Sequence, residues 1–158
     1  MIRKVNIYDM DGTIVCSLHR YRTLRKPCGT EAIDLPFWRA NEHRAMFDSL
    51  LPLAEQYRQD LKCEDTFVII ATARIIRRAD MQFIREVLGV PDALISRRDD
   101  ADTRSGGDLK IEGLAPYLDS GVFSGADVTF FEDNVQYLKK VCDRFNIRGV
   151  YVPSQQGH

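Results

Sequence analysis

Short apolar runs alternate along this chain with stretches whose apolar residues return every three or four positions, the pattern of a parallel sheet covered by helices. Val5 to Tyr8 reads as a first strand, and Phe67 to Ala71, apolar throughout, as a second strand buried on both faces. Ala93 to Ile95, Val128 to Phe131 and Gly149 to Val152 follow as strands three, four and five. Between them, Leu53, Tyr57 and Leu61 share one face of a helix that Pro52 would open. Ile76, Ala79, Phe83, Ile84, Val87 and Leu88 mark a second helix, stopped by Gly89 and Pro91. Leu109, Leu114 and Leu118 suggest a third. Val135, Leu138, Val141, Cys142 and Phe145 mark a fourth, with Asn134 placed to cap its first turn.

Residues 14 to 51 fit the alternation least. They hold Pro27, Gly29, Pro36 and the chain's one tryptophan, Trp38, and predict a flap or small lid with a short helix near Asn41 to Leu50. No repeat, low-complexity segment or linker divides the chain, so residues 1 to 158 are expected to form a single domain. Its class is α/β, a three-layer α/β/α sandwich around a parallel, Rossmann-like sheet. Residues 153 to 158 are expected to fray.

Composition narrows the function more by exclusion than by direction. No apolar run approaches the ~20 residues of a membrane span. Met1 to Ile7 leads into a strand and lacks the apolar block of a signal peptide, so a cytoplasmic protein with no membrane partner is expected. Cys16, Cys28, Cys63 and Cys142 form no C-x-x-C pair, which argues against zinc and for reduced thiols, some of them buried. A net charge of −1 argues against coating nucleic acid by bulk electrostatics. The basic residues nevertheless cluster, with His19, Arg20, Arg22, Arg25 and Lys26 in one acid-free run.

Ligands of open parallel α/β sheets bind beyond the carboxyl ends of the strands. This chain puts Asp9, Asp11, Gly12 and Thr13 after strand one, Thr72 and Arg74 after strand two, and Arg97, Arg98, Asp102 and Arg104 after strand three. Glu132, Asp133 and Asn134 follow strand four, and Lys110 lies near the start of the preceding helix. Carboxylates, a hydroxyl, a lysine and arginines on one edge are what phosphoryl transfer needs. Magnesium takes oxygen ligands and keeps several waters, so one or two carboxylates can hold it. Lys110 with Arg74 or Arg104 can balance the remaining phosphate charge. One carboxylate can attack phosphorus, and a second, two residues on, can pass protons to the leaving oxygen and from water.

These residues closely resemble the haloacid-dehalogenase (HAD) superfamily over nearly the whole chain. Asp9-Met10-Asp11-Gly12-Thr13 is similar to its first motif, Thr72 to the second, Lys110 to the third and Glu132-Asp133 to the acidic fourth. The resemblance implies a phosphatase with minimal or no cap, Asp9 as nucleophile and Asp11 as acid/base. It implies Thr72 as a hydroxyl on the transferring phosphoryl group, and Mg2+ on Asp9, Asp133 and the main-chain carbonyl of Asp11. The stretch Thr72-Ala73-Arg74, with Arg98 through Asp102-Thr103-Arg104 to Lys110, further resembles the phosphatase domain of phage polynucleotide kinase/3′-phosphatases. That implies Arg74 and Arg104 as substrate-phosphate ligands and 3′-phosphate ends of DNA or RNA as substrate. Thr72-Ala73 stands where serine-glycine is usual there, and no Gly-x-x-x-x-Gly-Lys-Ser/Thr loop represents the kinase.

Blander readings stand beside these. An Asp-x-Asp-Gly-Thr stretch can be a turn, a lone lysine a solvated helix residue, and a basic run a solvated surface. Glu132 reads equally as a neighbour of the metal or a cap for the helix that follows. A nucleotide or small-metabolite phosphatase is the alternative enzyme, and a non-catalytic phosphate-end-binding module the alternative of another class.

Overall fold

The computed structural model describes residues 1–156. In chain order it has β1 (Lys4–Tyr8), β2 (Val15–Cys16), β3 (Thr23–Arg25), β4 (Glu31–Ile33), α1 (Leu35–Ala40), β5 (Ser49–Leu50) and α2 (Ala54–Leu61). Then come β6 (Thr66–Ile75), α3 (Arg78–Phe83, continued as a π-turn over Ile84–Leu88), β7 (Ala93–Arg97), α4 (Gly106–Leu118), β8 (Asp127–Glu132), α5 (Val135–Phe145) and β9 (Arg148–Tyr151). The main sheet is parallel, in the order β7-β6-β1-β8-β9.

Alternation along the strands assigns each face its helices. Val5 and Ile7 of β1, Ile69 and Ala71 of β6 and Phe130 of β8 pack with Leu109, Leu114 and Val141 of α4 and α5. Tyr8, Val68, Ile70 and Phe131 point the other way, onto Ala54 and Tyr57 of α2 and Phe83 of α3. Tyr8 stacks on Phe131 with ring centroids 4.7 Å apart, and its hydroxyl donates to Asp60 of α2 at 2.5 Å. Asn6 donates to the same carboxylate at 2.8 Å, so a polar pin crosses an otherwise apolar interface.

The expected strands and the cap by Asn134, whose side chain accepts from the Tyr137 amide, are all present. The segment before α2 is different. The helix expected near Asn41 to Leu50 is a 3-10 turn over Glu42–Phe47, followed by strand β5. The α-helix lies earlier, at α1, where Asp34 accepts from the Phe37 amide and Pro36 sits in the first turn. β2 and β5 pair antiparallel and close the base of this excursion, and β3 and β4 form a hairpin within it.

Two smaller expectations are corrected. Of the four free thiols, Cys28 and Cys63 are exposed and Cys16 and Cys142 only half-buried. Residues 153–156 are held by hydrogen bonds from Ser154 and Gln156, so the fraying expected there does not apply; residues 157 and 158 lie outside the described residues. No helix among the described residues is long and apolar enough to cross a membrane.

Candidate active site

The register of β1 sets the site. Tyr8 pairs with Ile70 and Phe131, and one residue further the ladders end, with the Asp9 amide still donating to the Phe131 carbonyl at 3.0 Å. Asp9 thus stands at the tip of the central strand, between the ends of β6 and β8. Gly12 makes the return possible. Its φ is +79°, a region glycine enters freely, and a Cβ on it would overlap the Asp133 carboxylate and the Ser154 hydroxyl.

Around Asp9 the chain gathers charge. Lys110, from the first turns of α4, donates to Asp9 Oδ1 at 2.9 Å and to Glu132 Oε2 at 2.5 Å. Thr13 donates to Asp9 Oδ2 at 3.1 Å. Carboxylate oxygens of Asp9, Glu132 and Asp133 lie within 4.8 Å of one another, and all three residues are buried. Three acids against one lysine leave an excess of negative charge away from water, which is costly unless a cation relieves it. Burial and the neighbouring Asp9 push Asp133 up to about 7. Burial and Asp9 likewise push Glu132 up, with Lys110 opposing. Burial alone would lower Lys110, but Asp9 and Glu132 hold it above its ordinary value. An oxygen-only donor set of this kind fits a hard divalent cation. Glu132 also accepts from the Asn134 amide at 3.1 Å, so it both orients Lys110 and starts α5.

A second cluster adjoins the first. The pairing of β6 with β7 shifts register between Ala71 and Ile75, and the bulge carries Thr72, Ala73 and Arg74 past the ladder. Thr72 is buried and its hydroxyl accepts from the Arg74 amide at 3.1 Å. The Arg74 guanidinium bonds both carboxylate oxygens of Asp11, Asp80 at 2.7 Å and Asp48 at 3.1 Å. Burial raises Asp11, but the Arg74 guanidinium and the Ser17 hydroxyl, bonded at 2.6 Å, hold it below its usual value.

Arg20 belongs to this cluster, and nothing in its local sequence announced it. It sits in the basic run that reads as solvated surface, yet it is fully buried, with Asp48 at 3.1 and 3.2 Å and its guanidinium carbon 4.2 Å from the Trp38 ring centroid. Its Nη1 is buried with no hydrogen-bond partner. The available signal was the run's position directly after the Asp9-Met10-Asp11-Gly12-Thr13 loop. Its neighbours divide: His19 contacts Asp48 at 2.7 Å and Arg22 pairs with Asp34, while Arg25 and Lys26 lie exposed on the hairpin.

The structure therefore brings together Asp9, Lys110, Glu132 and Asp133, and beside them Asp11, Arg74 and Thr72. Arg104 is engaged elsewhere, with Asp102 at 2.6 and 2.8 Å and Glu112 at 2.6 Å. A cleft of about 820 Å³ opens beside Gly12 and Thr13, walled by Leu18, Leu53, Gln56 and residues 152–156.

Two solved structures share this architecture at low identity, which speaks to fold. A chain of the Pnkp1/Rnl/Hen1 complex superposes with a TM-score of 0.69 and 19% identity over 98% of this chain and 47% of that one. CbbY from Rhodobacter sphaeroides, in complex with phosphate, superposes at 0.62 and 15% identity over 100% and 90%. Both support the HAD-like fold expected from the motifs. In sequence, the 5′-deoxynucleotidase of Escherichia phage T5 is 37% identical over 90 residues, covering 54% of this chain but only 35% of that protein. The model of the family described as bacteriophage T5 5′-deoxynucleotidase matches residues 1–102. The chain belongs to the bacteriophage T5 5′-deoxynucleotidase family, built on a haloacid-dehalogenase-like fold.

Proposed function

We propose that this protein hydrolyses phosphomonoesters through a phosphoaspartate on Asp9, with Mg2+ held by Asp9, Asp133 and the main-chain carbonyl of Asp11. The observation that carries the reading is Asp9 itself, a buried carboxylate at the tip of the central strand, in contact with a buried lysine and next to two further acids. The cation would supply neutralising charge at the phosphoryl oxygens. Asp9 attacks phosphorus, the ester P–O bond breaks, and Asp11 gives its proton to the departing oxygen. Water then attacks the same phosphorus, Asp11 takes its proton, and the bond to Asp9 breaks to release phosphate. The contact with Arg74 favours ionised Asp11, the form this second half needs. Lys110 balances charge at Asp9, and the Thr72 hydroxyl would donate to the phosphoryl group.

For substrate, a deoxynucleoside 5′-monophosphate is the better-supported choice, because the relative in sequence is named a 5′-deoxynucleotidase. The cleft beside Thr13 has the volume of a typical small-molecule site. Arg104, expected on the substrate phosphate, is instead taken up by Asp102 and Glu112, and Arg20 in the basic run is buried. The 3′-phosphate end of DNA or RNA remains a second reading, favoured by exposed Arg25 and Lys26 on the hairpin.

A magnesium-dependent phosphate-release screen over 5′-mononucleotides, 3′-phosphorylated oligonucleotides and an aryl phosphate tests both. The deoxynucleoside 5′-monophosphate should turn over fastest, and Asp9→Asn should leave no detectable turnover, because uncatalysed monoester hydrolysis is slower by factors reaching ~10²¹. A 3′-phosphorylated oligonucleotide as best substrate would restore the end-processing reading. Its rate should then fall with salt by roughly 0.7 in log–log slope per phosphate contact. An Asp9→Asn protein as active as wild type would remove the covalent mechanism.

A further inference from the structure

The segment after β9 is tied to two of the three aspartates that the proposed chemistry uses, Asp11 and Asp133, by one unbroken run of hydrogen bonds. Extended backbone continues past Tyr151, the Val152 amide donating to the Glu132 carbonyl at 3.0 Å. Exposure then alternates, with Val152, Ser154 and Gln156 half-buried and Pro153 and Gln155 exposed. Period two thus turns the two polar side chains inward together. Ser154 donates to Asp133 Oδ2 at 2.9 Å. Its oxygen accepts from the Gln156 amide at 2.8 Å. The Gln156 carboxamide clasps Ser17 from two sides, donating to its hydroxyl at 2.8 Å and accepting from its amide at 3.2 Å. Ser17 donates in turn to Asp11 Oδ1 at 2.6 Å.

We propose that Ser154 and Gln156 are positioning residues, a strap that fixes Asp133 for the cation and Asp11 for proton transfer, resting on the functional reading above. The chemistry of each link supports this. A carboxylate that holds a cation through one oxygen rotates about its Cβ–Cγ bond unless its other oxygen is bonded, and groups that restrain metal ligands in this way matter for affinity. Ser154 is the hydroxyl donor to Asp133 Oδ2. Asp11 lies between two donors, Arg74 on one side and Ser17 on the other, and Gln156 decides where the Ser17 hydroxyl points by donating to its oxygen. Ser17 begins the flap excursion, so the strap also joins the flap base to the far side of the sheet.

The two ends of the strap should fail differently. In Ser154→Ala, Mg2+ binding measured by calorimetry should weaken by about tenfold, as for lost supporting partners of metal ligands. Ser154→Thr, which keeps the hydroxyl, should restore it. Gln156→Ala should keep the wild-type Mg2+ affinity and lower kcat for an aryl phosphate without changing KM, because its effect passes through Ser17 to Asp11. Wild-type Mg2+ affinity in Ser154→Ala, or wild-type kcat in Gln156→Ala, would overturn the strap at that end. So would a Thr variant as weak as the Ala variant. If the wild-type protein binds Mg2+ but hydrolyses no phosphomonoester, the functional reading falls and the binding arm alone decides the strap.

Discussion

Asp9 and Asp133 set two carboxylates side by side where little water reaches, and the consequence is a dependence on pH whose sign is unusual for an acid. Asp133 moves from the ordinary 3.8 up to about 7, through burial and then through Asp9. A group that binds its proton more tightly folded than unfolded adds no pH dependence below the unfolded value, because both states carry the proton, and its stabilisation is fully present there. Across the interval from there to the folded value, the folded state binds more protons, so stability falls as pH rises. Urea unfolding in EDTA should therefore show wild type losing stability between those two values, and Asp133→Asn should lack that part of the loss. Mg2+ should cancel most of the difference by binding only the folded wild type. An Asp133→Asn protein with the same pH profile as wild type would mean that the like-charge repulsion is absent. The convergence of Asp9, Asp11, Lys110 and Asp133 on one sheet edge was legible in the sequence because each follows a strand or opens a helix at a recognisable spacing. Arg20 was not, since burial of an arginine is set by distant partners, here Asp48, Asp80 and Trp38. Arg104 reads as a free cation in sequence, yet Glu112, two turns along α4, takes it up.

At the scale of elements, the base of the flap is joined to β6 by charge as well as by the apolar packing of Val15 and Leu50 with Val68 and Ile70. Asp48, just before β5, accepts from Arg20 and Arg74, and Asp80 of α3 faces the same two guanidinium groups. All four side chains are fully or almost fully buried. Breaking a buried pair by deleting one partner leaves an uncompensated charge, at a cost of roughly 3–5 kcal/mol. Asp48→Ala should thus destabilise by that order in urea titrations, although Asp48 lies outside the four motifs. A loss near zero would show that water reaches the cluster. The strands of the sheet and the helices on its faces were readable because each has one period and one partner surface. Between Val15 and Leu50 no element exceeds six residues, and apolar periodicity cannot register in pieces so short. Asp34 and Pro36 did carry a usable signal, a cap and a first-turn proline, but Pro36 reads as a breaker when no apolar face follows.

Viewed whole, the molecule is a sheet with unequal flanks: β7 and β9 are its edges, and every residue of β9 is exposed. The family match ends at residue 102, so β8, α5, β9 and the strap fall outside it. The matched range therefore includes Asp9, Asp11, the segment from 14 to 51 and Arg74, while Lys110, Glu132 and Asp133 lie beyond it. One feature of the flap makes the union of these parts observable. The only indole in the chain, Trp38, lies under Arg20, 4.2 Å from its guanidinium carbon, and 5.5 Å from that of Arg74. Its emission reports a place where flap and sheet meet, whereas far-ultraviolet circular dichroism reports the helices and strands at large. With the ion pairs intact the two signals should follow one unfolding curve. In Asp48→Ala the fluorescence change should come first, at lower urea. Separate curves already in the wild type would mean that the flap melts on its own. The protein thus carries, in a single ring, its own optical gauge of whether the excursion between β2 and β5 and the sheet beneath it are one body.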